Sequence, residues 1–374
     1  MKNTKILHLT THIDIGGITS WLLTAAPGLA LRGHSVAVAS GGGATAPLFE
    51  AKGVRAFRFP IRVKSELHPA LYASLPGLSA LVRRERFDVL HAHTRVTQLI
   101  AAILSRLDGV PYVTTAHGYY KNRLSRRWLG CWGRRVIAVS PLVAGALRDA
   151  HGVDPARIRI VPNAVDGEDL RRRLSVCDRE AARRAWGFNE RSLVLVSVSR
   201  LVEDKGHAVL IDAIALLKKE MPDLGLLILG NGRERAPLEE RIRRAGLEGC
   251  VKLLPAVPDV APILAAADVF VHPATHREGF GLSLAEAMVA GKPVIVTDIP
   301  AVNSIITDRV NGLVVAPKSA EALAGAVRFL VLHPSETLAL AQKGRSYADE
   351  IASPKAMLDG LEAVYRETLE EARR

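Results

Sequence analysis

Short runs of β-branched and aliphatic residues alternate along the chain with longer stretches whose apolar positions recur at helical spacing. In the first half the runs are Ile6 to Thr10, Ser35 to Ser40, Val54 to Phe59, Asp88 to His91, Tyr112 to Ala116 and Val136 to Ser140. Near-continuous apolar runs of this length predict strands buried on both faces, as in a parallel sheet. The intervening stretches Ile18 to Arg32, Leu71 to Glu85, Val96 to Asp108 and Pro141 to Ala150 predict amphipathic helices. The second half repeats the grammar, with strands at Leu193 to Val198, Gly225 to Leu229, Val251 to Leu254, Val269 to His272, Pro293 to Thr297 and Gly312 to Val315. Its helical stretches are His207 to Glu220, Arg235 to Ala245, Gly281 to Ala290 and Ala320 to Leu332. Repeated strand-helix-strand units predict an α/β fold of two doubly wound, Rossmann-like domains.

A length of 374 residues suits two such domains. Turn chemistry at Val161-Pro162-Asn163-Ala164-Val165-Asp166, followed by a highly charged segment, places the hinge near Gly187. The expected division is 1–187 for the first domain, 188–352 for the second and 353–374 for a C-terminal helix returning toward the first. Ligands of doubly wound sheets bind beyond the carboxyl ends of the strands, so two domains facing across a cleft should share an active site.

Composition narrows the setting. The chain is 48% hydrophobic and 24% charged, a balance that excludes disorder as the main state. Cys131, Cys177 and Cys250 are widely spaced and form no C-x-x-C pair, which argues against a disulfide framework or zinc finger and for a reducing compartment. His8, Thr10, Thr11, His12 and Asp14 interrupt the N-terminal apolar stretch, and no run approaches the roughly 18 apolar residues of a membrane span. A cytosolic protein is expected. Its net charge is +12, with +14 in residues 1–190 and −2 in residues 191–374.

The chemistry-bearing motifs lie just after strands. His276 to Gly291, HREGFGLSLAEAMVAG, sets Glu278 and Glu286 eight apart around Gly279, Phe280, Gly281, Leu282 and Ser283. A strand, a glycine-rich turn and a helix N-terminus present unpaired amides to an anion. Glu278 would face ligand hydroxyls and Glu286 a second pair, such as those of a ribose; the plainer alternative makes one a dipole-matching carboxylate and the other solvated. Ser199-Arg200-Leu201-Val202-Glu203-Asp204-Lys205-Gly206 follows another strand, and Arg200 with Lys205 could hold a diphosphate. The alternative pairs them on the surface with Glu203 and Asp204. Gly16 and Gly17 follow the first strand and open a helix, allowing close approach of a ligand. With no complete G-x-G-x-x-G, NAD binding is disfavoured. His117, in Thr115-Ala116-His117-Gly118, could bond a sugar hydroxyl or phosphate. His91 and His93 lack a nearby carboxylate and read as structural rather than as metal ligands.

Taken in order, Gly16-Gly17, LALRGHSVAVAS, TAHG, PNAVD, SRLVEDKG and EGFGLSLAEAMVAGKPVIVTD resemble the GT-B glycosyltransferases of family 4, the large retaining group that includes bacterial lipopolysaccharide and phosphatidylinositol mannosyltransferases. The resemblance runs from about residue 5 to about 330. It implies GT-B architecture and transfer of a sugar from a nucleotide sugar, such as a UDP- or GDP-sugar, with retained configuration, no metal and no further cofactor. It also implies a donor held mainly by the C-terminal domain and a glycan or lipid-linked acceptor held mainly by the N-terminal one. By motif, Arg200 and Lys205 would neutralise the donor diphosphate, Glu278 and His117 would contact the donor sugar, and Glu286 would hold the ribose. Gly281 to Ser283, with Gly279, Phe280 and Ser199 beside them, would cradle donor oxygens, and Gly16 and Gly17 would close from the other domain. After Asp298 the family's Gly-Gly pair and Glu are replaced by Ile299-Pro300-Ala301-Val302-Asn303-Ser304.

Two rival functions share these features: a sugar-nucleotide epimerase or hydrolase of the same fold, and a non-enzymatic basic binding subunit, against which the filled Arg200, Lys205 and Glu278 positions argue. The basic excess clusters at Arg83 to Arg86, Lys121 to Arg135, Arg171 to Arg173 and Arg183-Arg184. The middle cluster interleaves Leu124, Trp128, Leu129 and Trp132, so it either lies on an anionic membrane surface or turns its Trp and Leu side chains into the core. A peripheral position on the inner face of the cell membrane is the corresponding expectation. Nucleic acid is not expected as a partner, since no aromatic stacking platform accompanies the charge.

Overall fold

The computed structural model describes residues 3–120, 130–276 and 278–374, and the chain divides into two compact units. Unit 1 comprises Met1–Ala164 together with Pro354–Arg374, and unit 2 comprises Val165–Ser353.

Among the described residues, unit 1 contains a seven-stranded parallel sheet formed by β1 (Lys5–Leu9), β2 (Ser35–Ser40), β3 (Arg55–Arg58), β4 (Val89–Ala92), β5 (Tyr112–Ala116), β6 (Arg135–Ala138) and β7 (Ile158–Ile160), in the order β3-β2-β1-β4-β5-β6-β7. The order reverses at β1 and β4, so their carboxyl ends form the switch point. One apolar cluster covers one face and includes Ile6, Trp21, Leu22 and Val38; a second, with Leu7, Leu9, Leu78 and Leu90, covers the other. The terminal helix Pro354–Arg373 completes the first cluster with Met357, Leu358, Leu361, Val364 and Tyr365, a stripe at helical spacing. Arg32 reaches Asp359 and Glu362, and Arg135 reaches Glu367 and Glu371, tying that helix down by charge as well.

In unit 2, β8 (Leu193–Val198), β9 (Leu224–Leu229), β10 (Val251–Leu254), β11 (Val269–His272), β12 (Val294–Thr297) and β13 (Leu313–Val315) form a parallel sheet in the order β10-β9-β8-β11-β12-β13. Its switch point lies between β8 and β11.

The expected boundary at residue 187 is corrected: the division falls after Ala164, and the charged segment beyond it belongs to unit 2. The reason is a set of ion pairs that spacing alone does not reveal. In helix Gly167–Ser175, Arg173 pairs with Asp259. In helix Arg179–Ala185, Arg179 and the buried Arg183 each meet Asp268 at 2.5 Å. The basic excess nevertheless stays with unit 1, which holds 26 Lys and Arg against 13 Asp and Glu, a net of +13, while unit 2 holds 24 against 25, a net of −1. Among the described residues no helix is long and apolar enough to cross a membrane.

Candidate functional site

The two loops at the unit 2 switch point carry the candidate residues. After β8 the chain passes through Ser199 and Arg200 into the short turn Glu203–Lys205 and then Gly206, which has a φ of +67°. A Cβ at Gly206 would lie 1.9 Å from the carbonyl oxygen of Pro273, so only glycine lets this loop lie against the one after β11. That approach brings Lys205 to Glu278. The Lys205 Nζ donates to Glu278 Oε2, and the two side chains are only 12% and 15% exposed.

This geometry overturns the surface-pair alternative. Among the described residues, neither Arg200 nor Lys205 pairs with Glu203 or Asp204; Lys205 turns inward, and the exposed Arg200 side chain has no hydrogen bond or ion pair. Burial works against ionisation of Glu278, but His272 and the Lys205 charge outweigh it and hold the carboxyl well below the usual range. His272 Nε2 lies 3.3 Å from Glu278 Oε2 without the alignment of a hydrogen bond, so the ammonium is the stronger partner. Glu278 Oε1 accepts from the Gly279 N–H at 3.0 Å, which means that Gly279 has no free amide to offer.

Gly281 caps the helix Leu282–Val289 in the left-handed conformation, with φ at +74°. The first-turn amides of Leu282 and Ser283 have no acceptor within the helix. Ser283 Oγ donates to the Val198 carbonyl at 2.7 Å, anchoring this helix start to the end of β8. The Phe280 ring is buried rather than presented to a ligand. Ser199 Oγ is 3.0 Å from Nε2 of His207, whose imidazole burial pushes down to about 3, so it stays neutral.

Glu286 is not a solvated helix residue. Its side chain is half-buried, and its carboxylate has no hydrogen bond or ion pair among the described residues. Burial pushes its pKa up to about 7, with Arg173 pulling down and Asp259 pushing up. An unpartnered carboxylate with a raised pKa, just over one turn into the helix Leu282–Val289, is a candidate binding group.

In unit 1 the candidates stand at the carboxyl ends of β1 and β5. A Cβ on Gly16 or Gly17 would meet nothing within 4 Å, and neither residue is in the left-handed region. The internal packing therefore does not demand glycine there, and the space beside the helix start Gly17–Leu31 is open. His117, half-buried, abuts the buried rings of His8, His91 and His93. Strand register puts His8 opposite His91, and period-two alternation adds His93 on the same side. Ring nitrogens of His8, His91 and His93 lie within 4.8 Å of one another, close enough to hold an ion. Both nitrogens of His91 are already bonded, to Tyr365 OH at 2.7 Å and Thr115 Oγ1 at 2.6 Å, and both of His93 to His8 and His117, so these two rings are satisfied by protein groups.

Sequence reading missed His8, His272, His207 and the Arg173-Asp259 pair beside Glu286. For His8 a signal existed: it sits two residues before the end of its strand predicted as Ile6 to Thr10, as His91 sits at the end of Asp88 to His91, and adjacent parallel strands place such residues side by side. A surface hollow of about 620 Å³, lined by residues such as Trp186, Arg243 and Lys252, contains none of the candidates. Of the basic Trp-containing cluster, residues 121–129 lie outside the described residues; Trp132 is buried, its ring 5.7 Å from that of Tyr120 and 5.8 Å from that of His151.

Comparison with known proteins identifies the fold and the family. Residues 15–169 match the model of Glycosyltransferase Family 4, and residues 178–347 match that of Glycosyl transferases group 1. The chain belongs to the family 4 glycosyltransferases. This glycosyltransferase is 28% identical to the D-inositol 3-phosphate glycosyltransferase of Rhodococcus erythropolis over 389 residues, covering 94% of the chain and 87% of the relative. It is also 28% identical to the UDP-Gal:alpha-D-GlcNAc-diphosphoundecaprenol alpha-1,3-galactosyltransferase of Escherichia coli, over 70% of the chain and 71% of that protein. In structure it resembles Anabaena HepE, crystallised with UDP-glucose, with a TM-score of 0.83, 23% identity and coverage of 99% and 100%. The two Rossmann-like units are those of the GT-B glycosyltransferase fold.

Proposed function

We propose that this glycosyltransferase transfers a hexosyl group, with retention, from a UDP- or GDP-sugar to a glycan or lipid-linked acceptor in cell-envelope polysaccharide or lipopolysaccharide synthesis. The observation that carries the reading is the pairing of Lys205 with Glu278 at the unit 2 switch point, with Arg200 on the same loop lacking a partner among the described residues. A diphosphate offers Lys205 a more highly charged partner than one carboxylate, and Arg200 supplies a planar fork suited to two phosphate oxygens. Glu278, released from Lys205, then accepts from donor-sugar hydroxyls. The free amides of Leu282 and Ser283 receive phosphate or sugar oxygens, and Glu286 accepts from the ribose hydroxyls. His117 bonds a sugar hydroxyl, and the open space at Gly16 and Gly17 admits a ligand oxygen to the backbone. The UDP-glucose in the HepE neighbour supports a UDP-sugar donor, and the polyprenyl-linked acceptor named for the E. coli relative supports a lipid-linked one.

In the reaction, the bond from the anomeric carbon to the phosphate oxygen breaks and its electron pair leaves with the nucleoside diphosphate. The acceptor hydroxyl oxygen bonds to the anomeric carbon from the same face, and its proton passes to the departing phosphate. Fixed positive charge at the leaving group is the dominant protein contribution, and no metal is required to supply it. Glu278 Oε1 is held by the Gly279 N–H and its other oxygen accepts from sugar hydroxyls, so the carboxylate is a poor nucleophile, which favours the front-face route. A peripheral position at the inner face of the cell membrane suits a lipid-linked acceptor and the positive charge of unit 1.

Incubation with UDP- and GDP-sugars, with and without a polyprenyl-diphosphate-linked sugar, tests this reading by mass spectrometry and anomeric NMR of the product. Acceptor-dependent nucleotide release with a retained linkage is expected. Acceptor-independent release would point to the hydrolase or epimerase reading, and an inverted linkage would overturn retention.

A further inference from the structure

His8, His93 and His117 form a single-file chain of imidazoles at the carboxyl ends of β1, β4 and β5. His117 Nε2 lies 2.9 Å from His93 Nδ1, and His93 Nε2 lies 2.9 Å from His8 Nδ1. Burial pushes His8 and His117 down to about 3 and His93 well below its ordinary value, so all three rings are neutral at physiological pH. A neutral imidazole has one N–H and one lone pair. The chain therefore has only two states, in which every hydrogen bond points toward His117 or every one points toward His8.

The two states differ at their ends. If the bonds run toward His8, its Nε2 must carry the hydrogen, yet that atom is fully buried and has no acceptor among the described residues. The Trp21 indole, T-shaped against the His8 ring, already contributes another buried N–H without a partner among the described residues. A second orphaned donor in the same ring cluster is the costlier arrangement, since buried unpaired N–H groups are rare in folded proteins. With the bonds running toward His117, His8 Nδ1–H donates to His93 Nε2, His93 Nδ1–H donates to His117 Nε2, and His117 carries its hydrogen on Nδ1. The chain also ends blind, since His8 Nε2 has no partner among the described residues to which a proton could be passed.

We propose that His8 and His93 are positioning residues that hold His117 in its Nδ1–H tautomer, so that it meets a sugar hydroxyl as a donor. The ring of His91, bonded to Tyr365 and Thr115 and 4.3 Å from that of His93 between centroids, fixes the stack from the side. The use made of His117 rests on the reading of that residue under the proposed function, whereas the tautomer rests on the hydrogen-bond chain alone.

Long-range proton-nitrogen NMR of the full chain labelled with ¹⁵N-histidine reads the tautomers directly and without any activity. His8, His93 and His117 should all show the Nδ1–H pattern, and an Nε2–H tautomer at His117 would overturn the proposal whether or not the protein turns over donor. The functional arm compares His93→Phe, which removes both nitrogens, with His93→Asn, whose amide can still donate near the Nδ1 position. The Phe variant should lose on the order of tenfold or more in kcat with little change in donor KM, with the Asn variant recovering most of it. Equal losses in two folded variants would contradict positioning through Nδ1. Unchanged kcat in His117→Ala would remove the sugar contact and so the purpose of the chain, and it is distinguishable from a wrong tautomer because the NMR pattern would stand.

Discussion

Lys205 and Glu278, separated by 73 residues, form an ion pair in which both side chains are largely withdrawn from water. One stands after β8 and the other after β11, and the close approach of Gly206 to Pro273 is what brings their loops together. Removing one member leaves the other buried and unpaired, a loss of about 3–5 kcal/mol for a buried pair. Lys205→Met should therefore lower both stability and turnover. Adding Glu278→Gln should recover part of the stability, as read from urea unfolding, and none of the turnover. Simple additivity of the two stability losses would show that the pair is not coupled.

Arg200 provides the contrasting case, since its exposed side chain has no partner among the described residues. Arg200→Ala should leave stability within about 0.5 kcal/mol of the parent while lowering kcat roughly a hundredfold. Near-parental kinetics in the folded variant would remove Arg200 from the diphosphate site.

Glu286 predicts a pH dependence of unusual sign for a carboxylate. Its pKa is raised from 4.5 to about 7, so its contribution to stability is complete below pH 4.5 and is lost as pH rises through 7. Glu286→Gln should stabilise the protein on the order of 2 kcal/mol at pH 8, allowing for solvent at the edge of the side chain, and by almost nothing at pH 4. If ribose hydroxyls favour its charged form, donor binding near pH 7 should also release protons, and calorimetry in buffers of different ionisation enthalpy would count them. Loss of stability in the Gln variant at pH 8 would contradict the burial argument.

Gly17 and Gly206 separate ligand access from internal packing. Gly17→Ala meets no atom within 4 Å and needs no unusual φ, so thermal unfolding should be unchanged while donor turnover falls. Gly206→Ala collides with the Pro273 carbonyl and should destabilise unit 2 outright. Equal melting temperatures for the two variants would mean that the loop after β8 relaxes without cost.

The alternation of apolar runs and helical stretches made the architecture readable, because strands buried on both faces leave an almost pure hydrophobic signature. The strand Ile158–Ile160 escaped because it is three residues long, contains Arg159 and lies between two prolines. Helix Pro334–Ile351 escaped because its buried positions, Leu340, Ala341, Gly344 and Ala348, include only one large apolar residue. The segment after Ala164 was assigned to the wrong unit because Arg173 and Arg183 find Asp259 and Asp268 more than 80 residues away. Motifs singled out Arg200, Lys205, Glu278 and Glu286 as candidates, but not that Lys205 turns to Glu278, because which of several nearby carboxylates an ammonium selects is settled by loop packing.

The most direct test of the central claim is thermal unfolding in the presence of UDP- and GDP-sugars, comparing the parent with Arg200→Ala and Lys205→Met. At least one nucleotide sugar should raise the melting temperature of the parent, and neither variant should show the same rise. Absence of any shift in the parent, or equal shifts in all three proteins, would contradict a donor diphosphate held by Arg200 and Lys205.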